Sequence, residues 1–231
     1  MKTGAGTGYM TTTWNDVEIL IVGAGTMGAS LAQNYAQNGF GVGLLDVSDD
    51  ILARGVEVID AELESARGRI FSHVEIGAIR RRIRTGTNYE EACSGPGLRL
   101  AIEAATERLD IKKKIFSTLD ALARPEVVLA SNSSSLDVNI LAKATKRPDR
   151  VVWMHYFYLP HKNRAAEYAG SDTASPESLE TARRYLKLGG KIGTHVRGSR
   201  KGGVADIIFV ALLHEATRMV EEGFDMAAIE A

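Results

Sequence analysis

A chain of 231 residues has room for one large domain, or for one domain and part of another. Its 45% hydrophobic and 25% charged residues are the mixture of a soluble globular protein, and a formal net charge of −1 gives no basic field to draw in nucleic acid or an anionic membrane surface. Cys93 is the only cysteine, which excludes an intrachain disulfide and fits a reducing, cytoplasmic compartment.

The first stretch, residues 1–16, is rich in Thr and Gly without an apolar centre. It reads as a disordered tail rather than a secretory signal. Order begins at Val17. The apolar run Ile19-Leu20-Ile21-Val22 predicts a strand and leads into Gly23-Ala24-Gly25-Thr26-Met27-Gly28. Leu31, Ala32, Tyr35 and Ala36 then recur at helical spacing up to Gly39, and a second apolar run, Val42–Leu45, ends on Asp46. Strand, glycine turn, helix, strand and acid form the dinucleotide-binding fingerprint. Gly23 allows the tight turn, Gly25 lets the backbone approach a pyrophosphate, and Gly28 lets the helix lie close on the sheet. Thr26 and Met27 open the helix, whose unpaired N–H groups and positive dipole end face the phosphates. Asp46 follows the first glycine by roughly twenty residues, where an acid accepts from both ribose hydroxyls. A carboxylate there repels a 2′-phosphate, so the expected cofactor is NAD rather than NADP.

Beyond Asp46, Ser48 is an expected N-cap for a helix built on Ile51, Leu52, Val56, Ile59 and Leu63, running to about Arg69. A second helical piece around Val74–Ile83 carries Arg80, Arg81 and Arg82, with Arg84 just beyond. The cluster reads first as a solvated helix face, and second as a landing place for the phosphates of an acyl carrier. A loop over Thr85–Gly97 holds Gly86, Gly95, Pro96 and Gly97, and Cys93 falls within it. Leu98–Glu103 reads as a strand, Leu109–Leu122 as a helix, and Val127–Ala130 as a short buried strand with the exit Ser131-Asn132-Ser133-Ser134-Ser135. Then come a short helix, Leu136–Ala144, a strand over Arg150–Met154 ending at His155, and a further strand over Ala165–Ala169. A helix opened by Pro176 leads to a last strand, Lys191–Val196, and to a very apolar helix, Val204–Glu222.

Strands alternating with helices predict an α/β fold, a doubly wound and mostly parallel sheet. Ligands of such sheets bind beyond the carboxyl ends of the strands. Gly23, Asp46, Glu107, Ser134 and His155 sit at five such ends. No metal site is expected. Oxidising an alcohol by hydride transfer needs a base for the hydroxyl proton, and of the five histidines only His155 directly follows an apolar strand at this edge. Glu167, beyond a turn containing Pro160, can return to fix the far ring nitrogen. The residues alone leave two readings open: a base with its orienting carboxylate, or a strand cap beside a solvated acid.

Four motifs in order resemble the L-3-hydroxyacyl-CoA dehydrogenase family: Gly23–Gly28; Ile102-Glu103-Ala104 with Glu107 and Lys112; Ser131–Leu136; and His155-Tyr156-Phe157 with Glu167. The resemblance runs from about Val17 to Ala231. It implies a Rossmann-like NAD-binding domain over 17–200 and, over 201–231, the start of a C-terminal helical dimerisation domain. It implies that His155 is the general base, Glu167 its partner and Ser134 a hydrogen-bond donor to the reacting oxygen. Glu107 and Lys112 would lie along the cofactor. The substrate would be a 3-hydroxyacyl-CoA, oxidised reversibly at C3, and the partner a second copy of the chain. Two positions depart from the family pattern. Tyr158 replaces an Asn after the histidine, and Asp206 replaces an Asn that faces the substrate. Two other readings compete: a dehydrogenase of a small 3-hydroxy acid without CoA, and an NAD-binding module with little turnover.

Overall fold

The computed structural model describes residues 12–198 and 203–230. One sheet of eight strands runs through it, in the order β3-β2-β1-β4-β5-β6-β7-β8. The strands are β1 (Ile19–Val22), β2 (Val42–Leu45), β3 (Ile83–Gly86), β4 (Leu100–Glu103), β5 (Val128–Ser131), β6 (Val151–Tyr156), β7 (Ala165–Gly170) and β8 (Ile192–His195). The first six are mutually parallel, β7 runs antiparallel to β6, and β8 is parallel to β7. The order reverses at β1, between β2 and β4, and this is the switch point at which doubly wound sheets open a ligand crevice.

Alternation along β1 explains the two layers. Ile19 and Ile21 point to one face and pack with α1 (Thr26–Gln37), α2 (Asp49–Ser65), α3 (His73–Arg81) and, farther along, α7 (Pro176–Leu188). Leu20 and Val22 point to the other, towards α4 (Tyr89–Cys93), α5 (Leu109–Leu122) and α6 (Val138–Ala142). A strand covered on both faces has no solvent side, so β1 is uniformly apolar. α1 is buried without interruption from Gly28 to Ala36. Its close seat depends on Gly28, where a Cβ would meet the Gly23 carbonyl oxygen at 1.7 Å.

Three expectations change. Thr12–Asp16 are ordered: Trp14–Asp16 form a 3-10 turn, and the Trp14 ring covers Gly43 and Gly86, with Arg84 lying over it at 5.7 Å. Glycines in two neighbouring strands leave the slot that the indole fills, so the expected tail over 1–16 is corrected for these residues. Residues 1–11 lie outside the described residues. The helix around Val74–Ile83 ends at Arg81, and Ile83 begins an edge strand paired with β2 through Val42↔Ile83. Charge at Arg84 and the glycine at 86 hid that strand, and the expected loop beyond it contains α4. Lastly, His155 lies inside β6, which continues to Tyr156.

The arginine cluster is neither a free face nor an open phosphate site. Arg80 binds Asp60 at 2.6 Å and Glu64 at 3.0 Å, tying α3 to α2, and Arg82 donates to the Ala36 carbonyl. Cys93 belongs to the core, where burial pushes its thiol up to about 11. The helix α8 (Ala205–Glu221) has no buried residue and is followed by α9 (Met226–Glu230). Among the described residues no helix is long and apolar enough to cross a membrane.

The packed indole yields a test. Trp14→Ala should lower the stability to urea by about 2 kcal/mol, roughly half the loss for a fully buried tryptophan. An unchanged unfolding midpoint would return this segment to the tail.

Candidate active site

Six parallel strands deliver their carboxyl ends to one edge, and the predicted polar residues meet there. At β1 the chain turns through Gly23, at φ +108, where a Cβ would also strike the Ala104 backbone at 2.7–2.8 Å. Gly25 is exposed, with nothing within 4 Å of the place a Cβ would take. No side chain caps the α1 N-terminus behind it, and its first turn holds no acid. Open space beside Gly25, an uncapped helix start and Thr26 and Met27 at its mouth are what a pyrophosphate needs. Asp46, at the exit of β2, accepts from Ala24 N at 2.6 Å and Val47 N at 2.7 Å. Each carboxylate oxygen keeps a lone pair for a ribose hydroxyl. The residues therefore fit a dinucleotide.

Past β4 the exit is built on a buried charge. Glu103 is fully buried and accepts from Lys112 Nζ at 2.6 Å, Ser131 Oγ at 2.8 Å and Ala105 N at 2.8 Å. Burial pushes its carboxyl up, and Lys112 opposes that shift. Lys112 is itself only 1% exposed, so the expectation that it lies along the cofactor is corrected. It points under the β4 exit, 3.8 Å from Glu107, and supports the crevice from below. Its helical spacing with Ile115, Phe116 and Leu119 was the signal for an inward direction. Glu107 is at the surface and accepts from Ser133 Oγ at 2.7 Å, joining the β4 and β5 exits.

Antiparallel pairing of β6 and β7 sets His155 directly opposite Glu167. Nδ1 lies 3.4 Å from Glu167 Oε2, with His155 5% and Glu167 4% exposed. An ionised carboxylate is an acceptor only, so the ring carries its proton on Nδ1 and turns Nε2 outward. Glu167 Oε1 accepts from Val204 N at 2.9 Å and Ala205 N at 3.1 Å, the start of α8. Three partners repay the burial of this carboxylate. Gly203 (φ +56) lets the helix approach: a Cβ there would lie 2.2 Å from Glu167 Oε2.

The sequence pattern gave no role to the residues that hold the ring. Trp153 stacks on His155 with centroids 5.2 Å apart, and Phe157 meets it edge-on at 4.8 Å. The Trp153 indole donates to the Ser133 carbonyl at 2.6 Å, and Asn132 Oδ1 accepts from Tyr156 N at 3.0 Å. Spacing of two along β6 placed Trp153 on the face of His155, which was the available signal. Asp206 Oδ2 stands 3.8 Å from His155 Nε2. The ring thus has a carboxylate on each side. A cleft of about 890 Å³ opens over this group, lined by Met27, Glu107, Ser134, His155, Tyr158 and Asp206 together with apolar residues of α8.

A doubly wound sheet with a dinucleotide cradle and a buried histidine–glutamate pair beside it defines a dinucleotide-dependent oxidoreductase. The family model for the NAD-binding domain of 3-hydroxyacyl-CoA dehydrogenase matches residues 18–199. Among curated proteins, the 3-hydroxybutyryl-CoA dehydrogenase of Clostridioides difficile is 28% identical over 90% of this chain and 73% of its own length. The probable 3-hydroxybutyryl-CoA dehydrogenase of Bacillus subtilis (strain 168) is 30% identical over 89% and 71%. The crystal structure of (S)-3-hydroxybutyryl-CoA dehydrogenase from Ralstonia eutropha superposes with a TM-score of 0.84 at 30% identity, covering 89% of this chain and 72% of that one. The chain belongs to the 3-hydroxyacyl-CoA dehydrogenase family, and NAD is its cofactor.

Proposed function

We propose that this chain is an NAD-dependent dehydrogenase that oxidises the C3 hydroxyl of a 3-hydroxyacyl-CoA to the 3-ketoacyl-CoA, reversibly. One observation carries the reading. The His155–Glu167 pair, buried and aligned by the β6–β7 register, turns its free nitrogen into a cleft that begins at the dinucleotide cradle.

In this reading His155 Nε2 takes the hydroxyl proton of the substrate, while Glu167 holds the Nδ1 proton and stabilises the charge that appears on the ring. Ser134, exposed at the β5 exit and part of the cleft wall, donates to the reacting oxygen. Bound NAD supplies the hydride acceptor. Gly23, Gly25, Thr26, Met27 and Gly28 hold its pyrophosphate, Asp46 its ribose, and Glu107 flanks it. Residues 17–200 form the cofactor domain and 201–231 begin a helical dimerisation segment.

The lining of the cleft favours a thioester over a free acid. No Lys or Arg is among the described residues lining it, whereas Glu107 and Asp206 are. A free 3-hydroxy acid would bring its carboxylate towards two others with no cation among the described lining residues to receive it, at a cost that rises as water is excluded. A thioester carbonyl is neutral, so the CoA substrate is the better fit. Asp206 stands where the family resemblance implies an Asn. An ionised carboxylate cannot donate to a ketone oxygen, and it opposes negative charge developing there.

α8 supplies the argument for a homodimer. Ile208, Phe209, Val210 and Leu212 are more than half exposed, Leu212 at 65%. A helix apolar on most sides needs cover, and a second copy of the same helix offers a self-complementary face. A reducing, cytoplasmic setting is proposed with it, on the strength of the single buried thiol at Cys93.

Purified chain mixed with NAD and 3-hydroxybutyryl-CoA should form NADH, and His155→Ala should reduce kcat by about 10²–10⁴-fold. Turnover of free 3-hydroxybutyrate alone would favour the small-acid reading, and NAD binding without any turnover would favour a binding module. Asp206→Asn should raise kcat about tenfold, a fraction of the 10²–10³ that an oxyanion donor contributes elsewhere. A lower kcat in that variant would give Asp206 a productive role instead. Light scattering should report a dimer that Leu212→Glu dissociates, and a wild-type monomer would remove this assignment.

A further inference from the structure

A second buried histidine lies in the segment that joins β6 to β7. His161 has a side chain only 5% exposed. Its Nδ1 is 2.7 Å from Ser30 Oγ on α1, and its backbone N–H donates to the same oxygen at 3.2 Å. Its Nε2 is 3.3 Å from Glu62 Oε2 on α2, and its carbonyl accepts from Gln37 Nε2 at 3.2 Å. One arrangement of protons satisfies every group. The Ser30 hydroxyl donates to Nδ1, and Nε2–H donates to Glu62. That ring is neutral. Burial holds the His161 pKa below its ordinary value, with Lys162 and Lys191 adding to the shift and Glu62 opposing it.

The partners lie where they matter for the site. Ser30 and Gln37 are two turns apart on one face of α1, the helix whose N-terminus meets the pyrophosphate. Lys191 Nζ adds bonds to the Pro160 carbonyl and, at 2.8 Å, to the Asn163 carbonyl. Just ahead of these anchors come Phe157, edge-on to His155, and Tyr158, both in the cleft wall. Besides these anchors, the segment is tied to α2 by the Lys162–Glu62 ion pair at 2.6 Å, while Tyr158 itself is exposed.

We propose that His161 is a positioning residue for the dehydrogenase: bridging Ser30 of the cofactor helix and Glu62 of α2, it holds Phe157 edge-on to His155 and Tyr158 in the cleft wall. The proposal rests on the reading of His155 as the base. It differs from simple stabilisation in one respect. The bridge sets the wall of the substrate cleft: Ser30 lies one turn into α1, two residues after Gly28, and its side chain is engaged by His161 rather than by the phosphate cradle.

Ser30→Ala tests this in the full chain, because alanine is the best helix former and the variant keeps its fold. Hydrogen exchange of the amides of residues 157–164 should accelerate at least about tenfold, and kcat with 3-hydroxybutyryl-CoA should fall about tenfold, as expected for a small misplacement of a reacting wall. The Kd for NAD should change less than about twofold, since the cradle is untouched. His161→Asn keeps an acceptor for the Ser30 hydroxyl and should retain most of the wild-type kcat. His161→Leu should lose as much as Ser30→Ala. Unchanged exchange over 157–164 in Ser30→Ala overturns the proposal, as does a loss of kcat matched by an equal loss of NAD affinity. If the wild-type chain does not turn over the thioester, the activity assignment fails while the exchange measurement still decides whether the bridge holds the segment.

Discussion

Glu167 is a buried carboxylate, and the rest of the site is arranged to make that burial tolerable. Its two oxygens face in different directions: Oε2 to His155 Nδ1 and Oε1 to the backbone of Val204 and Ala205. Removing either set of partners would leave charge stranded in a low-dielectric interior, which costs several kcal/mol. The His155 ring and the start of the helix that roofs the cleft are therefore held by one group. Gly203 is the price of that arrangement, because only a residue without Cβ admits the helix start so close to the acid.

Below this lies a second constraint, the parallel sheet itself. Consecutive crossovers bring the exits of β1, β2, β4, β5 and β6 to one edge, and residues from beyond β1, β4, β5 and β6, far apart in the chain, share a cleft. The edge is stiffened by polar bonds: the buried Glu103–Lys112 pair under β4, Ser133 to Glu107 between β4 and β5, and Trp153 to Ser133 between β5 and β6. These groups need touch neither cofactor nor substrate to matter. They keep the exits in fixed relation, and hydride transfer demands that its reacting groups be aligned.

Much of this was legible in the residues. The glycine turn, its flanking strands and Asp46 are local, and local spacing is what sequence patterns record well. The helix over Leu109–Leu122 was set by its apolar period and the proline beyond it. The His155–Glu167 pair needed the family resemblance, because twelve residues across a turn do not dictate register by themselves. β3 escaped notice because its four residues include an arginine and a glycine, and it became a strand only by pairing with β2. Trp14 read as part of a tail because its slot is made by Gly43 and Gly86, distant in the chain. Lys112 was expected along the cofactor because the family resemblance implied it, while its buried acid, Glu103, comes from another element. The contacts of Asp206 with His155, and of His161 with Ser30 and Glu62, join segments whose proximity only the folded chain creates.

The account stands on Glu167 as the group that orients the base. Its most direct test is Glu167→Gln, assayed for NADH formation from 3-hydroxybutyryl-CoA alongside the Kd for NAD. The predicted result is a fall in kcat of at least about 10²-fold with NAD affinity unchanged, the pattern of a lost orienting charge behind a general base. Wild-type kcat in a folded Glu167→Gln would contradict it.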